Sequence, residues 1–295
     1  MKALQRLAVA LTLLADRGTP NIRKSRQAVT LMERRFRLAR GVKVVEGSLA
    51  GLSVRRFSSD GALPGVVLHL HGGAYYCGTS AMGRCYSLIS AHGGPEMISV
   101  AYRLAPEHPY PAALDDAMAV YRALLPAPIV VVGDSAGGGL ALALVQRVRD
   151  EGLPMPAGVA PIFPWADLTQ SSASYAATAG RDMMTKRAGD WAADLYAAGQ
   201  DVRTPGISPL FGSFAGFPPT LVTVGTGDAL LDDARGVAAA LGAAGAPVTV
   251  NEVTGAIHGF TTLPTPEAHD AIQVIAYFVR DCLSGSPPKS ASLFV

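Results

Sequence analysis

Apolar residues gather in short runs along most of the chain. Residues 65–70 read GVVLHL and residues 128–132 read PIVVV, so either run would be mainly apolar on both faces. A strand of this kind is typical of a parallel sheet that is covered by helices on each side. The runs, with two shorter ones near residue 50, predict strands at residues 42–45, 52–57, 65–70, 97–101, 129–132, 158–163, 220–224 and 248–253.

The segments between several of these strands repeat apolar residues every three or four positions. This spacing puts the apolar side chains on one face of a helix, and it predicts helices at residues 111–125, 136–151, 230–244 and 266–283. Strands that alternate with helices form a sheet with helices packed on its faces. The pattern therefore predicts an α/β fold with a mostly parallel sheet of about eight strands.

Two segments lie outside this alternation. Residues 1–40 have a helical pattern that is broken at Gly18-Thr19-Pro20, and residues 165–217 form an unusually long, partly helical connection between two strands. Long connections of this kind commonly have a function. We predict that residues 1–40 and 165–217 form a helical cap over the sheet edge, and that residues 41–295 form the catalytic domain that carries the second cap segment.

Composition limits the classes of partner. Apolar residues make up 49% of the chain and charged residues 16%, and the net charge is +2. These values indicate a large core and give no sign of a nucleic-acid partner. The three cysteines, Cys77, Cys85 and Cys282, lack CxxC spacing, which argues against a disulfide framework or a zinc site. A reducing compartment fits them best, so we expect a cytoplasmic protein.

The N-terminus, MKALQRLAVALTLLADRG, has a basic residue before an apolar stretch. Arg6 interrupts that stretch, and leucines at positions 4, 7, 11 and 14 repeat at helical spacing. The spacing favours an amphipathic helix over a signal peptide, with secretion as the alternative. No apolar run reaches the roughly 18 residues that a membrane span requires, so no span is expected.

One motif directly follows the strand at residues 129–132. Residues 133–138 read GDSAGG, which matches the G-x-S-x-G pattern of a serine held at a sharp turn between strand and helix. Side chains at Gly133 and Gly137 would collide across such a turn. The helix that follows directs its first amide groups at Ser135, where they favour negative charge. The motif therefore predicts that Ser135 is a nucleophile.

A serine hydroxyl needs a base to take its proton. In this architecture the order along the chain is nucleophile, acid, histidine, and only His258 and His269 follow Ser135. His258 lies in the loop GAIHGF just after the last strand, whereas His269 lies where a helix starts. We therefore predict that His258 is the base.

A carboxylate must orient the histidine. Asp228 follows the strand at residues 220–224, and Asp232 and Asp233 lie about one turn into the next helix. Carboxylates on that helix would rotate away from the sheet edge, where their ordinary role is a favourable charge at the helix N-terminus. We therefore predict that Asp228 is the acid of the triad.

An oxyanion needs backbone donors close to the nucleophile. Residues 71–74 read HGGA at the end of a buried strand and match an HGGG-type loop, with Ala74 in place of the third glycine. The amides of Gly72, Gly73 and Ala136 are the predicted donors. His71 is predicted to brace the loop and not to act as a base.

These motifs together resemble the hormone-sensitive-lipase-like branch of the α/β-hydrolases, which are serine esterases. The resemblance runs from about residue 42 to residue 283. It rests on HGGAY at 71–75, YRLAPEHPYPAALDD at 102–116, GDSAGG at 133–138, DALLDD at 228–233 and HGF at 258–260. It implies an α/β-hydrolase fold with a helical cap, and often a homodimer formed through an edge strand or a terminal helix. Besides Ala74, one position departs from the family pattern: Ala229 stands where proline usually follows the acid.

The predicted activity is hydrolysis of short- to medium-chain acyl esters, with about two to eight acyl carbons, through a serine acyl-enzyme. This chemistry needs no metal and no organic cofactor, and the substrate is a small ester molecule. An apolar acyl pocket is predicted from Tyr75, Met183, Met184, Trp191, Tyr196 and Phe260, although core residues would give the same pattern. An amidase or a carbohydrate deacetylase with the same triad is an alternative. A non-catalytic receptor for small ligands is disfavoured because His258 is present.

Overall fold

The computed structural model describes residues 5–7, 9–10 and 21–286. Within these residues eight strands form one sheet, in the order β1-β2-β4-β3-β5-β6-β7-β8. β1 and β2 pair antiparallel, β2 pairs antiparallel with β4, and the pairs from β4 to β8 are parallel. The strands are β1 (Lys43–Leu49), β2 (Leu52–Ser58), β3 (Val66–Leu70), β4 (Glu96–Val100), β5 (Ile129–Asp134), β6 (Gly158–Ile162), β7 (Thr220–Gly225) and β8 (Val248–Val253). The predicted fold class is confirmed.

The middle of the sheet is buried on both faces. Every residue of β5, β6 and β7 is buried, whereas β1 and β8 at the two edges have exposed positions such as Val45 and Val250. Removing a valine or leucine side chain from water contributes roughly 1.5–3 kcal/mol. The continuous apolar runs therefore specify the central strands, and this layer fixes where the loops at the strand ends begin.

Helices cover the sheet and lie mostly where the sequence predicts them. α3 packs against β5 and β6, α6 against β7 and β8, and α7 against the strands from β5 to β8. The helices are α1 (Ile22–Glu33), α2 (Ala112–Leu124), α3 (Ala136–Asp150), α4 (Ala173–Thr178), α5 (Lys186–Ala197), α6 (Leu231–Ala243) and α7 (Pro266–Leu283). No helix in the described part of the chain is both long and apolar enough to span a membrane.

Two charged residues attach α1 to the loops beyond β3. The Arg26 guanidinium donates to the carbonyl of Tyr76 at 2.8 Å and pairs with Glu107 at 2.6 Å. The buried Glu33 carboxylate accepts hydrogen bonds from the amide and the hydroxyl of Thr79, at 2.8 and 2.7 Å. Tyr76 and Thr79 closely follow the predicted oxyanion loop at residues 71–74, so α1 is attached next to that loop.

The second predicted cap segment, residues 165–217, contains α4 and α5 and is called the insert segment below. Of the first predicted segment, residues 1–40, the structure describes α1 and short helical stretches at 5–7 and 9–10. The predicted break at Gly18-Thr19-Pro20 and most of the leucine pattern before it lie outside the described residues. The division of the chain into cap and catalytic domain stays a prediction.

Candidate active site

Ser135 lies between the end of β5 and the start of α3, with φ 54° and ψ −120°. A non-glycine residue in this conformation is strained and must be held by its surroundings. Its carbonyl accepts hydrogen bonds from the amides of Gly138, Gly139 and Trp165, at 2.9 to 3.1 Å. A Cβ atom at Gly133 would collide with the backbone of Gly137, so the glycines are required by the tight turn. The turn presents the Ser135 side chain at the sheet edge.

The three residues predicted to form the triad are adjacent in space. Ser135 Oγ lies 2.9 Å from His258 Nε2, and His258 Nδ1 lies 3.1 Å from Asp228 Oδ1. A carboxylate can only accept, so Nδ1 carries the proton and Nε2 accepts the serine hydroxyl. Asp228 is fully buried and also accepts the amide of Leu230 at 2.8 Å. This orientation of the imidazole is the one that a general base requires.

The charges around His258 favour its protonated form. Burial by itself would lower the pKa of the imidazole, but the carboxylate of Asp228, with smaller contributions from Asp182 and Asp134, raises that pKa to about 9. The edge of the Phe163 ring meets the imidazole, with 5.0 Å between ring centroids. The site therefore stabilises the imidazolium that forms when the base takes a proton.

Two of the predicted oxyanion donors lie beside the serine turn: Gly72 packs against Asp134, which precedes Ser135, and Ala136 follows Ser135 directly. The amides of Gly72, Gly73 and Ala136 donate no hydrogen bond to any other described residue, although all three follow buried strands. His71 is fully buried, and its Nδ1 donates to the carbonyl of Gly72 at 2.7 Å. Burial lowers the pKa of His71 to about 4, so this ring is neutral. Its contacts are those of a residue that braces the loop.

The other two carboxylates of the DALLDD motif do not reach His258. Asp233 is fully buried and accepts the amides of Ala166 and Asp167 at 3.1 and 2.9 Å. Asp232 accepts the amide of Ser174 at 2.8 Å. Both side chains attach the insert segment to α6, which is a larger structural role than the helix-end charge expected from the sequence.

A carboxylate that sequence reasoning missed lies beside the triad. Asp182, in the insert segment, is only 1% exposed and accepts the amide of His258 and the amide of Ala229, each at 2.7 Å. Its surrounding sequence, AGRDMMTK, has no motif and follows no strand. Only the path of the insert segment brings it to the triad, so no local signal could have identified it.

The aromatic residues predicted for the acyl pocket are mostly inside the protein. Tyr75 and Tyr196 are each 1% exposed and stack face to face, with ring centroids 3.7 Å apart. Trp191 is partly buried, and its ring meets the edge of Tyr76 at 4.9 Å. The tyrosine pair thus has the packing of core residues, and contact between these three residues and an acyl chain stays a prediction.

The remaining predicted pocket residues surround the histidine loop more closely. Phe260 is buried two positions after His258 and packs edge-on against Phe163, which in turn contacts the imidazole. Met183 follows Asp182, and its methyl group lies next to Gly259. Met184 is partly buried and packs near Gly189 within the insert segment. Phe260 and Met183 are therefore the predicted lining residues with contacts at or next to the histidine loop.

Comparison with known proteins agrees with this geometry. The family model for the alpha/beta hydrolase fold matches residues 67–262. An acetyl-hydrolase from Streptomyces hygroscopicus is 38% identical over 249 residues, which are 81% of this chain and 82% of that protein. An esterase from Acinetobacter venetianus is 34% identical over 240 residues, which are 78% of this chain and 79% of that protein.

Solved structures give the same assignment. An esterase from the bacterial hormone-sensitive lipase family superposes with a TM-score of 0.89 at 31% identity, covering 96% of this chain and 99% of that chain. The esterase EstE5, in crystals soaked with p-nitrophenyl butyrate, superposes with a TM-score of 0.85 at 33% identity, covering 94% and 98%. The chain belongs to the α/β-hydrolase family, in its hormone-sensitive-lipase-like branch.

The different positions of Asp228, Asp232 and Asp233 allow a test of which carboxylate is the acid of the triad. We predict that Asp228→Asn lowers kcat by ~10³ or more, because the imidazole loses the acceptor that fixes its tautomer. Asp232→Asn and Asp233→Asn should each stay within about tenfold of the unmodified protein, since neither carboxylate touches His258. Measuring kcat for the three variants side by side decides the assignment. A large loss of kcat in Asp232→Asn or Asp233→Asn, together with a nearly normal kcat in Asp228→Asn, would mean that Asp228 is not the acid of the triad.

Proposed function

We propose that the protein is a carboxylic ester hydrolase that works through an acyl-enzyme on Ser135. The observation that carries this proposal is the unbroken hydrogen-bonded chain from Ser135 Oγ through His258 to Asp228. The relatives named as esterases and acetyl-hydrolases support the same bond type. The reaction proceeds in two halves, and in each half His258 first accepts a proton and then gives it up.

In the first half, Ser135 Oγ attacks the ester carbonyl while its proton passes to His258 Nε2. The carbonyl oxygen becomes an oxyanion, which accepts hydrogen bonds from the amides of Gly72, Gly73 and Ala136 in this proposal. Each such donor is worth about 3 kcal/mol in the transition state. The imidazolium then gives its proton to the departing alkoxide oxygen, which leaves as the alcohol, and the acyl group stays on Ser135.

In the second half, a water molecule takes the place of the alcohol. His258 Nε2 accepts one proton of that water as its oxygen attacks the acyl carbonyl. The tetrahedral species collapses, the bond to Ser135 Oγ breaks, and the proton returns to the serine. Asp228 keeps its charge throughout, because its role is to orient the imidazole and to stabilise the imidazolium.

The substrate class follows from what surrounds the triad. α1 is fixed to the oxyanion loop by Arg26 and Glu33, and the insert segment reaches the histidine loop through Met183. Ligands in such folds bind outside the carboxyl ends of the strands, where both segments lie. We propose that the two segments act as a cap, that they limit the length of the acyl chain, and that Phe260 and Met183 contact it.

The free thiols and the open edges of the sheet bear on location and assembly. Cys77, Cys85 and Cys282 are free thiols, which fits a reducing compartment such as the cytoplasm. The edge strand β8 leaves Val250 exposed beside unpaired backbone groups. Such an edge can pair with a second copy of the chain, so we propose a homodimer through β8.

The nucleophile is tested by Ser135→Ala. We expect this variant to lose ester turnover and to resist covalent labelling by an organophosphonate, because no other hydroxyl of the described residues is hydrogen-bonded to His258. Ser53→Ala, which changes an exposed serine on β2, is the matched control and should label and react normally. Labelling of Ser135→Ala at a different serine, found by mass spectrometry, would refute the mechanism.

The acyl preference is tested with p-nitrophenyl esters of increasing chain length. We expect kcat/KM to be highest between about C2 and C8, because the proposed cap restricts the space beyond the carbonyl. A matched p-nitroanilide should react far more slowly, since an amine is the poorer leaving group. Activity that rises steadily to long chains, with activation at an oil–water interface, would indicate a lipase. Equal rates on the anilide would indicate an amidase.

A further inference from the structure

Asp182 connects two loops that the chain does not join directly. Its Oδ1 accepts the amide of His258 at 2.7 Å, and its Oδ2 accepts the amide of Ala229 at 2.7 Å. Ala229 immediately follows Asp228, whereas His258 follows a different strand. One carboxylate from the insert segment therefore holds the backbone of the triad acid and the backbone of the triad base at a fixed separation.

The contacts of Asp182 are those of an ionised carboxylate. Its three hydrogen bonds come from the backbone amides of His258, Ala229 and Met183, and all three groups can only donate. A protonated carboxyl would instead donate a hydrogen bond, and these three partners are all donors. Proline at position 229 would have no N–H to donate, so the bond to Asp182 depends on Ala229.

We propose that Asp182 is a positioning residue for the reaction: it ties the insert segment to the two triad loops and adds a second negative charge facing the imidazole. This inference rests on the proposed ester hydrolysis and extends it. A displacement of about 1 Å at a reacting group can cost about a hundredfold in rate, so a tie of this kind matters for kcat. The same charge stabilises the imidazolium in both halves of the reaction.

The charge contribution follows from the groups that face His258. These are Asp228 from the loop after β7, Asp182 from the insert segment, and Asp134 at the end of β5, and all three raise the pKa of the imidazole. Burial, and then the charge of Asp228, raises the pKa of Asp182 itself to about 6. Above that pH the carboxylate is ionised, so its removal lowers the pKa of His258 and moves the neutral, basic form to lower pH.

Asp233 provides a matched control. It is also a buried carboxylate that accepts two backbone amides, and burial raises its pKa to about 7. Like Asp182, it attaches the insert segment to the rest of the protein. Unlike Asp182, it has no contact with the His258 loop. If Asp182 had only a structural role, substituting it would affect kcat and the acid limb of kcat/KM as little as substituting Asp233. If Asp182 is a positioning residue, only its own substitution changes both.

The test compares Asp182→Asn with Asp233→Asn on p-nitrophenyl butyrate. Asparagine offers one acceptor oxygen, so in Asp182→Asn the amide of Ala229 or of His258 would face an NH₂ group. We expect kcat to fall by roughly 10- to 100-fold with little change in KM. The acid limb of kcat/KM should move to lower pH by about half a unit or more. Asp233→Asn should keep kcat within about tenfold of that of the unmodified protein, and its acid limb should not move.

Tm is measured for each variant, so that rates are compared for folded protein. Asp182→Glu keeps the charge but displaces the oxygens, so it should restore the acid limb of the unmodified protein while kcat stays low. If Asp182→Asn does not fold, Asp182→Glu still tests the inference through its kcat. An Asp182→Asn variant with normal kcat and an unmoved acid limb, or an Asp182→Glu variant with normal kcat, would overturn the inference. Failure of the proposed function is distinct, because the unmodified protein would then be inactive.

Discussion

The conformation of Ser135 is the constraint on which the rest of the site depends. A residue with φ 54° and ψ −120° holds that geometry only when the fold imposes it, and here its carbonyl accepts three amides while its own amide donates to Ile162. Those partners come from α3, from the end of β6 and from Trp165 at the start of the insert segment. The strain is therefore balanced by the packing of the central sheet, and it places the serine hydroxyl at the edge where the loops after β3, β7 and β8 also begin.

Buried carboxylates connect the segments outside the sheet to this edge. Glu33 fixes α1 to the loop after β3, Asp233 fixes the insert segment to α6, and Asp182 fixes the insert segment to the triad loops. A buried carboxylate is costly unless hydrogen bonds compensate it, and each of these accepts at least one backbone amide from a distant part of the chain. Such bonds have a defined direction. They set the position of the covering segments more sharply than apolar contact alone.

The same carboxylates give the site its electrostatic character. His258 is surrounded by Asp228, Asp182 and Asp134, and their combined effect outweighs the burial that would otherwise lower the pKa of the imidazole. An imidazole whose cation is stabilised in this way suits the proposed reaction, in which a proton moves from serine to histidine and back. In the mechanism that we propose, backbone amides of the oxyanion loop and of Ala136 bind the negative charge that develops on the substrate, so the two kinds of charge have separate binding groups.

The sequence by itself determined the features that depend on local pattern. Continuous apolar runs identify the central strands, GDSAGG identifies the serine turn, and the order of nucleophile, acid and histidine leaves Ser135, Asp228 and His258, which the structure brings together. Contacts between segments that are distant in sequence decided the other features of the site. The stacking of Tyr75 on Tyr196 has no local sequence signal, and Asp182 has no motif and reaches the triad only through the path of the insert segment. The physical reason is that hydrophobic periodicity is set by each strand's own residues, whereas a buried hydrogen bond between distant segments exists only after the sheet has fixed where their ends lie.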